Sequence, residues 1–191
     1  MDAFRNSKVW LLPIPVLFWI FLASPGAADF NVSQMQARLE SGRLLISGDL
    51  ELGLNNKVEE AVSKGIPLDI DIELRLYRSR PVLWSQRLSN WDFRRQIRFH
   101  ALSGQYLVSE FRDGAEVLES YTSLQQALRQ MGNISEREYT INAETDAEDS
   151  LLLDTRVRLD IESLPAPLRP VAYTSLDWHL NSGWSTWTVQ R

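Results

Sequence analysis

Between Leu68 and Tyr77 apolar and polar residues alternate without a break. Leu68, Ile70, Ile72, Leu74 and Leu76 interleave with Asp69, Asp71, Glu73, Arg75 and Tyr77. A helix, whose side chains repeat every 3.6 residues or so, cannot sort that pattern onto two faces; a strand can. The run therefore specifies a strand with one buried and one wet face. Arg95 to Leu102 alternates likewise, with Ile97, Phe99 and Ala101 inward and Arg98 and His100 outward. Gln105 to Phe111 and Glu116 to Tyr121 flank Asp113-Gly114, a hairpin signal. Asp29 to Leu39, Arg43 to Leu52, Arg156 to Ile161, Trp178 to Leu180 and Ser185 to Val189 are further strand candidates, and Val82 to Leu88 is ambiguous in phase.

Two segments carry helical punctuation. Asn56 to Lys64 opens with Asn56 as N-cap, has Glu59 three residues on, and closes at Gly65 with Pro67 beyond. Ser123 to Met131 repeats the design with Ser123, Gln126 and Gly132. Both are too short to stand alone in water and must pack on the sheet. The pattern predicts a mainly β fold: an antiparallel β-sandwich, immunoglobulin-like in architecture, with two short helices. The alternative is an α+β arrangement with a curved antiparallel sheet. Leu164 to Pro170, LPAPLRP, reads as an extended crossover, because its prolines resist helix.

The first 28 residues read as an address. Arg5 and Lys8 precede an uncharged apolar run, Val9 to Ala23, and small residues follow at Gly26 and Ala28. These are the three parts of a secretory signal, so residues 1–28 are expected to be a signal peptide and residues 29–191 a single β-rich domain. A helix over the apolar run rises about 22 Å, against roughly 30 Å of hydrocarbon. Pro13 and Pro15 weaken a continuous span further. The expected location is the periplasm; retention as an uncleaved inner-membrane anchor is the alternative. No transmembrane segment is expected in the mature chain.

The chain has no cysteine, which excludes disulfides, thiolate metal sites and cysteine nucleophiles. A net charge of -5 argues against nucleic acid as the main partner. Neither His100 nor His179 sits in a zinc-ligand spacing. There is no nucleophile elbow, phosphate loop or dinucleotide fingerprint. No metal, cofactor or catalytic residue is therefore assigned. Glu144, Asp146, Glu148 and Asp149 lack the glycine and distal glutamate of a calcium loop and read as solvated.

Charge is unevenly spread. Seven arginines and one acid lie between Arg75 and Arg98; nine acids and three arginines lie between Ile134 and Glu162. Either the first region offers a cationic face, or the two neutralise each other, which is the commoner arrangement. Any cationic patch belongs on the face shared by Arg94, Arg98 and His100. Trp178, Trp184 and Trp187 cluster near the end of the chain. With Arg94, Arg98 and His100 they form the candidate interaction surface, core packing being the alternative for the tryptophans.

The run LDIESLPAPLRPVAYTSLDWHLNSGWSTW, Leu159 to Trp187, resembles the C-terminal signature of the family called domain of unknown function 4390. GIPLDIDIELRLYRSR (Gly65 to Arg80), RFHALSGQYLV (Arg98 to Val108) and SLQQALRQMG (Ser123 to Gly132) follow that family's order of blocks. The resemblance implies a secreted, periplasmic protein of proteobacteria, with genes near that of a membrane sensor kinase and no activity or catalytic residues to transfer. The expected function is a non-enzymatic binding module acting on an envelope protein or membrane sensor partner, through an edge strand or end loops. One alternative is a hydrolase of envelope glycan or lipid using Asp/Glu pairs, with Asp177 a candidate. The other is a small lipid carrier with an apolar cavity.

Overall fold

A computed structural model of the protein describes residues 29–80, 85–112, 114–141 and 149–191. The expected signal peptide, Trp84, Asp113, Glu144, Asp146 and Glu148 lie outside the described residues. The strands are β1 (Phe30–Glu40), β2 (Arg43–Leu52), β3 (Leu68–Ser79), β4 (Gln86–His100), β5 (Gln105–Arg112), β6 (Ala115–Tyr121), β7 (Asn133–Thr140), β8 (Ser150–Leu159) and β9 (Ser185–Gln190). The α-helices are α1 (Asn56–Ser63), α2 (Leu124–Gly132) and α3 (Arg169–Thr174). Among the described residues no helix is long and apolar enough to cross a membrane.

The mainly β expectation holds, but the sandwich does not. The strands form one sheet, ordered β6-β5-β4-β3-β8-β9-β1-β2-β7, curved into a half-barrel. The physical reason lies in β8 and β9. β8 pairs with β3 on one edge and β9 on the other, and β9 pairs with β1, so the two hairpin-built arms share one ladder instead of stacking face to face. The curved-sheet alternative comes nearer, except that β1 and β9 run parallel.

β3 fills the centre. Leu68, Ile70, Ile72, Leu74 and Leu76 are each at most 1% exposed and share the core with Leu44, Ile46, Leu151, Leu153 and Val157. Each such side chain contributes roughly 1.5–3 kcal/mol by leaving water. The opposite row is less wet than its sequence suggests, since Asp69 and Asp71 are also buried.

Asn55, not Asn56, caps α1: its Oδ1 accepts from the Val58 N–H at 3.1 Å, while its amide donates to the Asp177 carbonyl at 2.6 Å. Ser123 caps α2 as expected, accepting from the Gln126 N–H at 3.2 Å. α2 lies across the open side of the half-barrel, touching β2 and β7 on one arm and β5 and β6 on the other. Gly132 permits this approach, because a Cβ there would run into the Leu50 carbonyl oxygen. The proline-rich stretch is not extended throughout. It leads into α3, with Pro170 in the first turn, where no backbone donor is required. The strand expected at Trp178 is a 3₁₀ turn, Leu176–Trp178. β7 was not anticipated, and β4 begins well before Arg95.

Candidate functional site

The outer face of β3, β4 and β8 carries an ion-pair lattice. Their registers set Asp71 opposite both Arg94 and Arg158, and Glu73 opposite Arg156. Arg94 donates through Nε to Asp71 at 2.8 Å and through Nη2 to Asp160 at 2.7 Å, and its Nη1 lies 3.4 Å from Asp69. Hydrogen bonding to Asp71 raises the pKa of Arg94 further. Arg158 bridges Asp71 and Glu73 at 3.1 and 2.9 Å, and Arg156 reaches Glu73 at 2.6 Å. Arg75 and Arg156 sit over the Trp184 ring at 3.9 and 4.5 Å from its centre. The basic and acidic regions do meet, through Arg94–Asp160 and through Arg78–Asp149 at 2.9 Å. An open cleft of about 520 Å³ lies over this lattice, lined by Asp71, Glu73, Arg75, Arg94, Arg156 and Arg158 among others.

The six sequence-predicted surface residues are not brought together. Trp184 and Arg94 both belong to the lattice. Trp178 is buried, and half-buried Trp187 pairs with Leu153 against the core. Arg98 and His100 are exposed farther along β4, with His100 Nδ1 2.9 Å from the Ser103 hydroxyl.

A second polar group occupies the inward face. Arg95 donates through Nε to Glu110 at 2.7 Å and through Nη1 to the carbonyls of Met131 and Asn133 at 2.6 and 2.8 Å. It thus ties β4 to β5 and to the junction of α2 with β7. Arg112 reaches Glu110 at 3.4 Å, and Arg137 of β7 is paired with the same carboxylate. Glu110 therefore joins the two arms of the half-barrel across their open side. The side chains of Arg95, Glu110 and Arg137 are only 5, 8 and 12% exposed. Burial, reinforced by repulsion from Arg137 and Arg112, brings the Arg95 guanidinium down to about 10. Arg137 also stacks on Phe93 at 3.9 Å, and Trp91 packs on Tyr139 at 4.9 Å between ring centres. Burial and a hydrogen bond to Glu119 push the Tyr121 phenol up to about 12, so it remains a donor.

This cluster was not singled out from sequence, although a signal existed. Extending the inward phase of Ile97 and Phe99 back along β4 makes Arg95 an inward residue, and Val108 does the same for Glu110.

The cluster lies beside a seam. Among the described residues β6 pairs only with β5 and β7 only with β2, so these are the two edges of the sheet. A cavity of about 130 Å³ next to β6 is lined by Arg95, Glu110, Arg112, Val117, Glu119 and Ser135 among others. The β7 edge is charged, with Glu136 and Glu138 paired to Arg38 and Arg43 at 3.4 and 2.9 Å. β6 also carries the exposed Glu116 and Glu119, but between them Val117 and Leu118 are 42 and 54% exposed, and Phe111 on β5 is 70% exposed.

The family model described as Domain of unknown function (DUF4390) matches residues 27–188, most of the chain, and the chain belongs to that family. No curated protein and no solved structure matches it.

Proposed function

We propose that the protein is a non-enzymatic binding module of the periplasm that receives an extended segment of an envelope or membrane-sensor partner along β6. One observation carries this reading: β6 is an edge strand with uncovered apolar side chains. Natural sheets usually blunt such edges with charge or cover them, as β7 is blunted here. An added strand would gain main-chain hydrogen bonds from β6. Its alternate side chains would meet Phe111 and Leu118 on one face and Val117 on the other. The basic start and short apolar run of residues 1–28 support the location.

The hydrolase reading has less support. Asp69, Asp71, Glu73 and Asp160 are all bonded by arginines, and Asp177 is bonded to Lys57 and Ser175 at 2.7 and 2.8 Å. Those hydrogen bonds, Lys57 first, hold the Asp177 carboxyl below its ordinary range, whereas a general acid requires the opposite shift.

The test places a photoreactive amino acid at Leu118, or at Arg98 for comparison, in cells producing the full chain. The Leu118 position should crosslink one envelope protein, with the adducts falling in a single short contiguous stretch of it. Adducts from Leu118 only to a second copy of this chain would overturn the proposal. So would no adduct at Leu118, or a productive Arg98.

A further inference from the structure

We infer that the end of the sheet carrying α3 rests on the lipid bilayer that residues 1–28 enter, through Val171, Tyr173 and Leu176; nothing in this depends on β6. The topology gathers these residues at one end of the fold. β1, β3 and β9 start there and β2, β4 and β8 finish there. The turn after β4, α1, α3 and the 3₁₀ turn Leu176–Trp178 therefore share that end. The two most exposed large apolar side chains among the described residues, Leu102 at 95% and Leu176 at 88%, both lie on it. Val171 and Tyr173 add 57 and 53% exposure, which makes a patch rather than a stray residue. α3 turns Ala172 into the core and Pro170, Val171 and Tyr173 outward. The Thr174 hydroxyl is turned back onto the carbonyls of Pro170 and Val171 at 3.1 and 3.2 Å, so its donor needs no water. From Ser163 to Leu176 the only charged residue is Arg169, and its Nε donates to the Leu164 carbonyl at 2.7 Å.

What covers this end follows from where the chain enters the domain. Asp29, the first described residue, is fixed there: its carbonyl accepts from the Gly53 N–H at 3.1 Å and its Oδ1 from the Asn181 N–H at 3.1 Å. Asn181 lines one cleft, of about 350 Å³, with Tyr173. Asn55, just past Gly53, donates to the carbonyl of Asp177, the neighbour of Leu176. On the secretory reading of residues 1–28, the apolar run Val9 to Ala23 enters a bilayer. The six residues from Ser24 to Asp29 span at most about 21 Å, so this end of the domain is held close to the lipid. Glu40, at the other end of β1, lies about 30 Å from Asp29 along the strand.

A tether this short makes a weak contact sufficient, because the encounter is local. A tyrosine beside aliphatic side chains suits the boundary between water and lipid. Charge does not draw the contact. Lys57 is paired with Asp177 and Lys64 with Glu60, while Glu59 and Glu162 add exposed negative charge at the same end. The contact is therefore apolar, and salt should not break it.

The chain has no cysteine, so one introduced at a chosen site takes a single fluorophore. The full chain, residues 1–28 included, is reconstituted in phosphatidylethanolamine–phosphatidylglycerol vesicles with or without brominated acyl chains. Environment-sensitive probes are placed on Val171→Cys and Leu176→Cys. Glu40→Cys, at the far end of β1, and Leu118→Cys, an exposed apolar site on β6, serve for comparison. The first two probes should shift to the blue on the vesicles and lose emission to the brominated lipid; the other two should do neither. Leu176→Asp should remove the quenching at Val171→Cys, whereas Leu118→Asp and high salt should leave it in place. Val171 and Leu176 probes that stay wet on a vesicle-bound chain overturn the inference. So do a chain that does not bind the vesicles, equal quenching at all four sites, or quenching lost in high salt. A photoreactive amino acid at Leu176 that captures a protein or a second copy of this chain in cells, with the vesicle probes wet, assigns the face to that partner instead.

Discussion

Glu110 is a single carboxylate shared by three arginines from three strands, which makes it the most consequential charge among the described residues. Replacing it with Gln keeps its size but leaves Arg95 and Arg137 charged and buried with their counter-ion removed. Breaking a buried pair from one side costs about 3–5 kcal/mol. Arg112 is half-exposed, so Arg112→Gln should cost under about 1 kcal/mol. Urea denaturation of the two variants checks the contrast, and equal losses would mean that Glu110 is not the hub. Trp184 illustrates the same dependence on setting. Two arginines lie over its ring, so its aromatic surface is already occupied by the protein itself.

At the scale of elements, α2 matters most, because it touches both arms of the half-barrel. Its last residue, Gly132, meets the Leu50 backbone where a methyl group has no room. Backbone cannot swing aside as a side chain can, so Gly132→Ala should cost roughly 1–3 kcal/mol despite alanine's better helix propensity. A thermal melt should fall by about 2–4 °C for each kcal/mol lost, and an unchanged or raised Tm would show that α2 can shift. The reason Gly132 is needed is invisible in sequence: it reads there as a helix stop, as Gly65 truly is at φ +84°. β3 was legible because its apolar row is unbroken. β7 was not, because its inward positions hold Arg137, between Glu136 and Glu138, and Tyr139, between Glu138 and Thr140, leaving little apolar contrast to detect. The early part of β4 is masked in the same way by the adjacent Arg94 and Arg95. The seam was illegible for a further reason: it depends on strands far apart in sequence meeting across a curved sheet, which no local pattern encodes.

Across the whole molecule, stability should be graded from the centre of the sheet outward. β3 is flanked by β4 and β8 and supplies a fully buried apolar row, whereas β6 and β7 are each paired on one side. Amide hydrogen exchange should therefore be slowest in Leu68–Ser79 and fastest, among the strands, in Ala115–Tyr121. Comparable protection in β6 would show that its edge is covered by something other than solvent. The parallel contact between β1 and β9 has a consequence in time as well as in space. It rests on two register pairs, Ala37 with Val189 and Arg38 with Gln190, drawn from opposite ends of the described chain. A polypeptide emerging from its N-terminus can build the β1–β2 hairpin and the β3-to-β6 run early. It cannot link β1 to β8 until Ser185–Gln190 arrives. Until then both strands offer raw edges to any neighbouring chain, so the nascent protein is most prone to aggregate just before its last strand is delivered.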